Sequence, residues 1–101
     1  MPAYIIANIE IADAERYAQY ARLTPAAIEK YGGRFVVRGG PVVTLEGPEE
    51  KRRIVVLEFP SVAQARTFYH SPEYRHAKSF RDGAATASFI LVEGFAPAPA
   101  P

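Results

Sequence analysis

Residues 52–59, Arg-Arg-Ile-Val-Val-Leu-Glu-Phe, carry apolar side chains at consecutive positions, and this run constrains the fold more than any other. Side chains alternate across a strand, so Val55, Leu57 and Phe59 emerge on one face and Ile54 and Val56 on the other. A strand of this kind needs cover on both faces. The pattern recurs at Phe35 and Val37 against Val36, and at Phe89 and Leu91 against Ile90 and Val92.

The remaining segments supply helices. Tyr4 to Glu10 reads as a strand with Ile5, Ala7 and Ile9 on one face and Tyr4, Ile6, Asn8 and Glu10 on the other. Asp13 is placed to cap a helix, and Tyr17, Tyr20, Ala21, Thr24, Ile28 and Tyr31 then recur at steps of three and four. Pro25 is expected either to bend that helix or to start a second one after Thr24. Gly32-Gly33 ends it. Arg34–Arg38 is a second strand, broken by Gly39-Gly40-Pro41, and 42–47 is expected to resume extended structure before the turn at 48–51. Pro60 closes the strand at 52–59. Ser61 and Gln64 have the spacing of a capping box. Ser71-Pro72-Glu73 restarts the helix, which runs to about Arg81 and stops at Asp82-Gly83. Residues 88–93 form the last strand. The alternating Ala-Pro stretch at 96–101 is expected to be a disordered tail, which leaves 1–95 as one domain.

The order β-α-β, extra strand, β-α-β with right-handed crossovers predicts an α+β, ferredoxin-like βαββαβ fold: an antiparallel four-stranded sheet with its helices on one face. Helices then cover one side of strands that are apolar on two. The uncovered side exceeds the few hundred Å² usual for a monomer, and the simplest cover is a second copy, sheet against sheet, giving a homodimer.

Composition removes several function classes. There is no Cys, which excludes thiolate nucleophiles, disulfide frameworks and sulfur-ligated metals. His70 and His76 are the only histidines and stand six apart, so they cannot form an i, i+4 ligand pair; no metal site and no bound cofactor is expected. Lys+Arg 12 against Asp+Glu 11 leaves +1, no bulk electrostatic case for a nucleic-acid partner. The N-terminus lacks a basic, then apolar, leader, and no run approaches a membrane span. The expectation is a cytoplasmic protein without membrane or nucleic-acid partners.

Five segments carry a family resemblance: Glu-Arg-Tyr-Ala-Gln-Tyr (15–20), Tyr-Gly-Gly-Arg-Phe-Val-Val-Arg-Gly-Gly (31–40), Glu-Phe-Pro-Ser (58–61), Phe-Tyr-His-Ser-Pro-Glu-Tyr (68–74) and Leu-Val-Glu-Gly (91–94). Together, over about residues 3 to 94, the chain resembles domain of unknown function 1330, within the dimeric α+β barrel superfamily. The resemblance implies a homodimer whose two sheets form a barrel, with clefts between helices and sheet. Superfamily relatives include cofactor-free quinone-forming monooxygenases, muconolactone isomerase, chlorite dismutases and haem-degrading enzymes. A fold is thereby implied, and not a reaction.

Candidate site residues follow, each with a structural reading beside the functional one. Arg38, at a strand end before Gly39 and Gly40, can bind a carboxylate or phenolate at a cleft mouth while the glycines let a ligand approach the backbone; otherwise it forms a surface or interface ion pair. Glu58 shares a face with Ile54 and Val56 and can act as a base there, or it pairs with Arg38 or Arg34. Asn8, beside Tyr4, can orient a carbonyl or hydroxyl, or bond within the barrel or across the dimer. Tyr17 and Tyr20 can line a pocket, or are core residues with hydroxyls reaching outward. His70, at a junction between helices, is the better placed histidine for proton transfer, or is simply exposed. Ser71 is explained by capping.

Three functions fit: a cofactor-independent enzyme acting on a small aromatic, lactone or quinol-like molecule; a small-metabolite-binding dimer without turnover; and a structural or stress-associated dimer with closed interior. The first two require a cavity of a few hundred Å³ with convergent polar groups.

Overall fold

In the computed structural model, which describes residues 1–95, β1 (Ala3–Ile11) runs through the middle of a single sheet. It is followed by α1 (Ala14–Lys30), β2 (Arg34–Arg38), β3 (Arg53–Phe59), α2 (Val62–Tyr69), α3 (Pro72–Arg81) and β4 (Ala85–Glu93). The Ala-Pro tail expected at 96–101 lies outside the described residues. The strand order is β2-β3-β1-β4, with every neighbouring pair antiparallel. This is the four-stranded α+β arrangement expected from the order of elements.

Register settles which residues share a face. Ile5 stands opposite Leu57 and Leu91, while Ile6 stands opposite Val56 and Ile90. Ala3, Ile5, Ala7 and Ile9 are buried beneath the helices, and their neighbours Tyr4, Ile6 and Asn8 are only half-buried on the open side. The core beneath the helices is aromatic: Phe68 packs against Phe59 at 4.9 Å and Tyr74 at 4.8 Å between ring centroids. Burying each such ring stabilises the fold by roughly 1.5–3 kcal/mol. On the other side Ile90 remains 59% and Val92 45% exposed in the single chain.

Each helix starts at a side-chain cap. Asp13 accepts from the Arg16 amide at 3.1 Å, Ser61 from Gln64 at 3.0 Å and Ser71 from Tyr74 at 3.1 Å. Ser71 Oγ also donates to the Phe68 carbonyl at 2.7 Å, so its hydroxyl is fully engaged in joining α2 to α3. Gln64 does not complete a capping box; its side chain donates to the Tyr31 carbonyl at 2.9 Å and ties α2 to the end of α1.

Three expectations are corrected. Of the two alternatives at Pro25, the second helix starting after Thr24 is overturned: α1 runs through the proline. A proline at 25 supplies no N–H to the carbonyl of Ala21, and that oxygen is instead taken by Thr24 Oγ1 at 3.2 Å and Arg38 Nη2 at 3.0 Å. Residues 42–47 form no strand. They follow Gly39, which turns the chain at φ +68°, away from β2, an edge strand with no further neighbour to pair with. Val37 does not share a face with Phe35. A bulge between them sets Phe35 opposite Leu57, Val37 opposite Val56 and Arg38 opposite Val55. The extra residue moves Val37 to the open side and Arg38 to the helix side. The last strand is also longer than expected, because Ala85 pairs with Ile11 at the far end of β1.

Candidate functional site

The helix-side face of the sheet and the inner stripe of α1 enclose a cavity. Tyr17, Tyr20 and Thr24 recur along α1 on the stripe that packs down on the sheet, and all three are buried. Phe35 from β2, Val55 from β3 and Phe89 from β4 form the floor. Two guanidinium groups also line it, Arg38 and Arg53. Arg38 is there because of the bulge, and Arg53 because it is in phase with Val55 and Leu57. The Arg38 guanidinium lies 4.4 Å above the Phe35 ring while its Nη2 reaches the Ala21 carbonyl, so it bridges β2 to α1.

Arg53 is seated differently. Its guanidinium stands 5.9 Å from the Tyr17 ring centroid, and its Nε is buried without a hydrogen-bond partner. It crosses Gly39, whose amide donates to the Ile54 carbonyl at 2.9 Å. A Cβ at Gly39 would overlap the Arg53 guanidinium, and the φ of +68° is one that other residues resist. Gly39 therefore makes room for an arginine. Gly40 faces open space, with nothing within 4 Å of a Cβ built there.

At the inner end of the cavity the hydroxyls of Tyr20 and Tyr74 share a hydrogen bond of 2.8 Å. Burial, followed by the neighbouring Tyr74 oxygen, pushes the Tyr20 phenol far above its ordinary range, and burial raises Tyr74 as well. Both are neutral hydroxyls at any physiological pH. Behind them Arg81 is buried, its guanidinium 4.6 Å from the Phe89 ring and 5.4 Å from that of Tyr20.

The enclosed cavity measures about 30 Å³, within a cleft of about 440 Å³ once the space open to solvent is included. The enclosed part has room for a water or two, well short of the few hundred Å³ a small-molecule site requires. Aromatic rings fill the difference. A roomier groove of about 250 Å³ lies beside it, between α2 and β4, lined by Arg66, Tyr69, His70 and Leu91. The two voids share Ile5 and Phe89 as a common wall.

The structure thus brings Arg38, Tyr17 and Tyr20 to one cavity. His70 stands in the neighbouring groove, exposed, with its ring perpendicular to Tyr69 at 5.5 Å. Tyr4, Asn8 and Glu58 are on the opposite side of the sheet, where Tyr4 faces Glu58 across the β1–β3 pair. Glu58 forms an ion pair of 2.5 Å with Arg34, the alternative foreseen for it. Gly39 and Gly40 lie on the outer rim beside Arg53. Sequence reasoning missed Arg53, Tyr74 and Arg81. Arg53 stood beside Arg52 at the start of the run 52–59, although its period-two phase with Val55 was the available signal; Tyr74 shares the helical stripe of Ala77 and Arg81.

Comparison with known proteins bears on the whole chain. The family described as "Domain of unknown function (DUF1330)" matches residues 2–95. The chain belongs to this family. No curated protein matches it. Among solved structures, a protein of unknown function from Rhodopseudomonas palustris is 28% identical with a TM-score of 0.75, over 95% of this chain and 84% of that one. A dimeric ferredoxin-like protein of unknown function from Jannaschia is 13% identical with a TM-score of 0.70, over 93% of this chain and 100% of that one. SnoaB, a cofactor-independent oxygenase from Streptomyces nogalater, is 11% identical with a TM-score of 0.67, over 98% of each chain. The last two share the fold with this DUF1330 member. Among the described residues, no helix is long and apolar enough to cross a membrane.

Proposed function

We propose that this DUF1330 protein is a homodimer, joined through its open sheet faces, whose helix–sheet cleft takes a small aromatic, lactone or quinol-like molecule and transforms it without a bound cofactor. The observation that carries the reading is the convergence of Arg38, Arg53, Tyr17 and the Tyr20–Tyr74 hydroxyl pair on one otherwise apolar, aromatic-walled cleft. The open face supports the dimer: Ile6, Ile54, Val56, Ile90 and Val92 form an apolar surface with nothing over it in the single chain, and a dimeric relative has this fold. That SnoaB, a cofactor-independent oxygenase, is built on the same scaffold supports the reaction type by analogy of fold.

In this reading Arg38 positions the ligand at the cleft mouth and Tyr17 and Tyr20 flank its ring. His70 is the candidate proton carrier, in the neighbouring groove across the shared Ile5–Phe89 wall. Asn8, Tyr4 and Glu58 are on the far side of the sheet, so in this reading they belong to the dimer face and not to this cleft. A screen of small phenols, quinols and lactones with wild type and Arg38→Ala tests it. Turnover by wild type, reduced at least tenfold in Arg38→Ala, is the expected result; equal rates in both remove Arg38 from the site.

The 30 Å³ enclosed volume favours a second reading, a structural dimer whose interior stays closed. Soaking or titrating the same compounds separates the two: a protein that binds none of them is the structural dimer.

A further inference from the structure

Resting on the reading that the cleft holds a small molecule, we infer that its ligand is a flat aromatic oxyanion, a phenolate or an arenecarboxylate, gripped by Arg53 and Arg38 at the mouth. Among the described residues, the cavity lining contains two guanidinium groups and no Asp, Glu or His. Neither arginine forms an ion pair, while Glu50, Glu58 and Glu73 are all engaged elsewhere, with Arg52, Arg34 and Lys30.

Two like charges facing one cleft repel each other, and among the described residues neither has a carboxylate partner to offset this. Yet two local devices hold them there: the β2 bulge that turns Arg38 inward, and the left-handed Gly39 that clears the path of Arg53. The Nε atoms of Arg53 and Arg81 are both buried without a hydrogen-bond partner. Behind the aromatic wall, Arg81 adds a third cation without an ion pair, stacked on Phe89 and Tyr20.

The cavity is narrow because Arg38 and the aromatic rings close over it. Arg38 closes the mouth through a bond to a neutral carbonyl, Ala21. Charge-assisted, bidentate bonds to an oxyanion are roughly twice as strong as such a bond, so an anion is the ligand able to draw Arg38 off α1 and admit a ring. A neutral ring offers no such exchange. The rings of Tyr17 and Phe35 beside the two arginines leave an apolar slot behind the charged rim, which sets the planarity of the ligand.

The test is calorimetric titration of the full chain with pairs of similar shape, one member anionic and one neutral: benzoate against benzamide, 1-naphthoate against 1-naphthamide, and 4-nitrophenol at high pH against 4-nitroanisole. The expected result is at least ~tenfold tighter binding of the anionic member, and a bound 4-nitrophenol whose ionisation moves down by about one pH unit, as a nearby cation dictates. Arg53→Gln should weaken binding of the anionic member at least ~tenfold, and Arg53→Lys should retain part of that binding, which separates charge from folding. Equal binding of both members overturns the anion inference and leaves the small-molecule reading standing. Binding of neither member in any pair overturns that reading instead. Carboxylate or phenolate pairs responding alone identifies which oxyanion the site takes.

Discussion

Arg38 occupies the hydrogen-bonding position on Ala21 that Pro25 leaves open in α1. A helix-interior proline ordinarily leaves a carbonyl four residues back without its donor. Here that gap becomes an attachment point for a strand-end arginine, and Thr24 shares the same oxygen. Pro25→Ala restores the backbone donor. It should stabilise the fold by ~1–2 kcal/mol, less than the ~3 kcal/mol helix penalty of proline because the oxygen is already satisfied and the unfolded chain gains freedom. Urea denaturation measures the gain. NMR of the Arg38 guanidinium should show it released, and an unchanged Arg38 signal would contradict the competition.

The Tyr20–Tyr74 hydroxyl pair is buried, so removing one partner strands the other. Tyr20→Phe and Tyr74→Phe should each cost about 1–3 kcal/mol. The double variant should cost less than the sum, since it leaves no orphaned hydroxyl. Chemical denaturation of the four proteins closes this cycle. Additive losses would show that the bond contributes nothing specific.

Placing a carboxylate on the open sheet face at Ile90→Asp should halve the mass seen by light scattering at micromolar concentration, with the far-ultraviolet dichroism retained. Ile90 is 59% exposed in the single chain, so the protomer tolerates the charge, whereas a sheet-to-sheet interface does not. A dimer that persists would move the interface elsewhere.

Glu73 accepts from Tyr31 Oη at 2.6 Å and from Lys30 Nζ at 2.5 Å. The Lys30 bond, then the Tyr31 bond, pulls its carboxyl down to about 2 from the ordinary 4.5. A depressed folded-state value means the contribution is complete above the unfolded value and is lost as pH falls through the folded one. Thermal unfolding should therefore drop more steeply between about pH 4.5 and 2 in wild type than in Glu73→Gln. Parallel curves would mean that the contact with the end of α1 is not retained in solution. The same contact joins α1 to the start of α3, so its loss should loosen that junction first.

Much of the fold could be read from the chain because it depends on short-range chemistry. Asp13, Ser61 and Ser71 cap helices wherever they occur before a suitable stripe, and the alternation in Ile5–Ile9 or Ile54–Phe59 assigns faces without reference to any other segment. The two-sided apolar strands likewise announced an uncovered face, and the open side of this sheet carries them.

The site was harder to read, for a physical reason. Which face Arg38 occupies depends on one unpaired residue between Phe35 and Val37, and a bulge forms only against a particular neighbouring strand. Whether Arg53 is a surface charge or a cavity wall depends on Gly39 crossing beside it. The room left for a ligand depends on how six-membered rings from five separate elements pack together. Caps, periodicity and turn residues act within about four positions of each other and are written locally. The juxtaposition of Pro25, Ala21 and Arg38 is set by the pairing of distant strands under a helix, and only the folded chain brings them into contact.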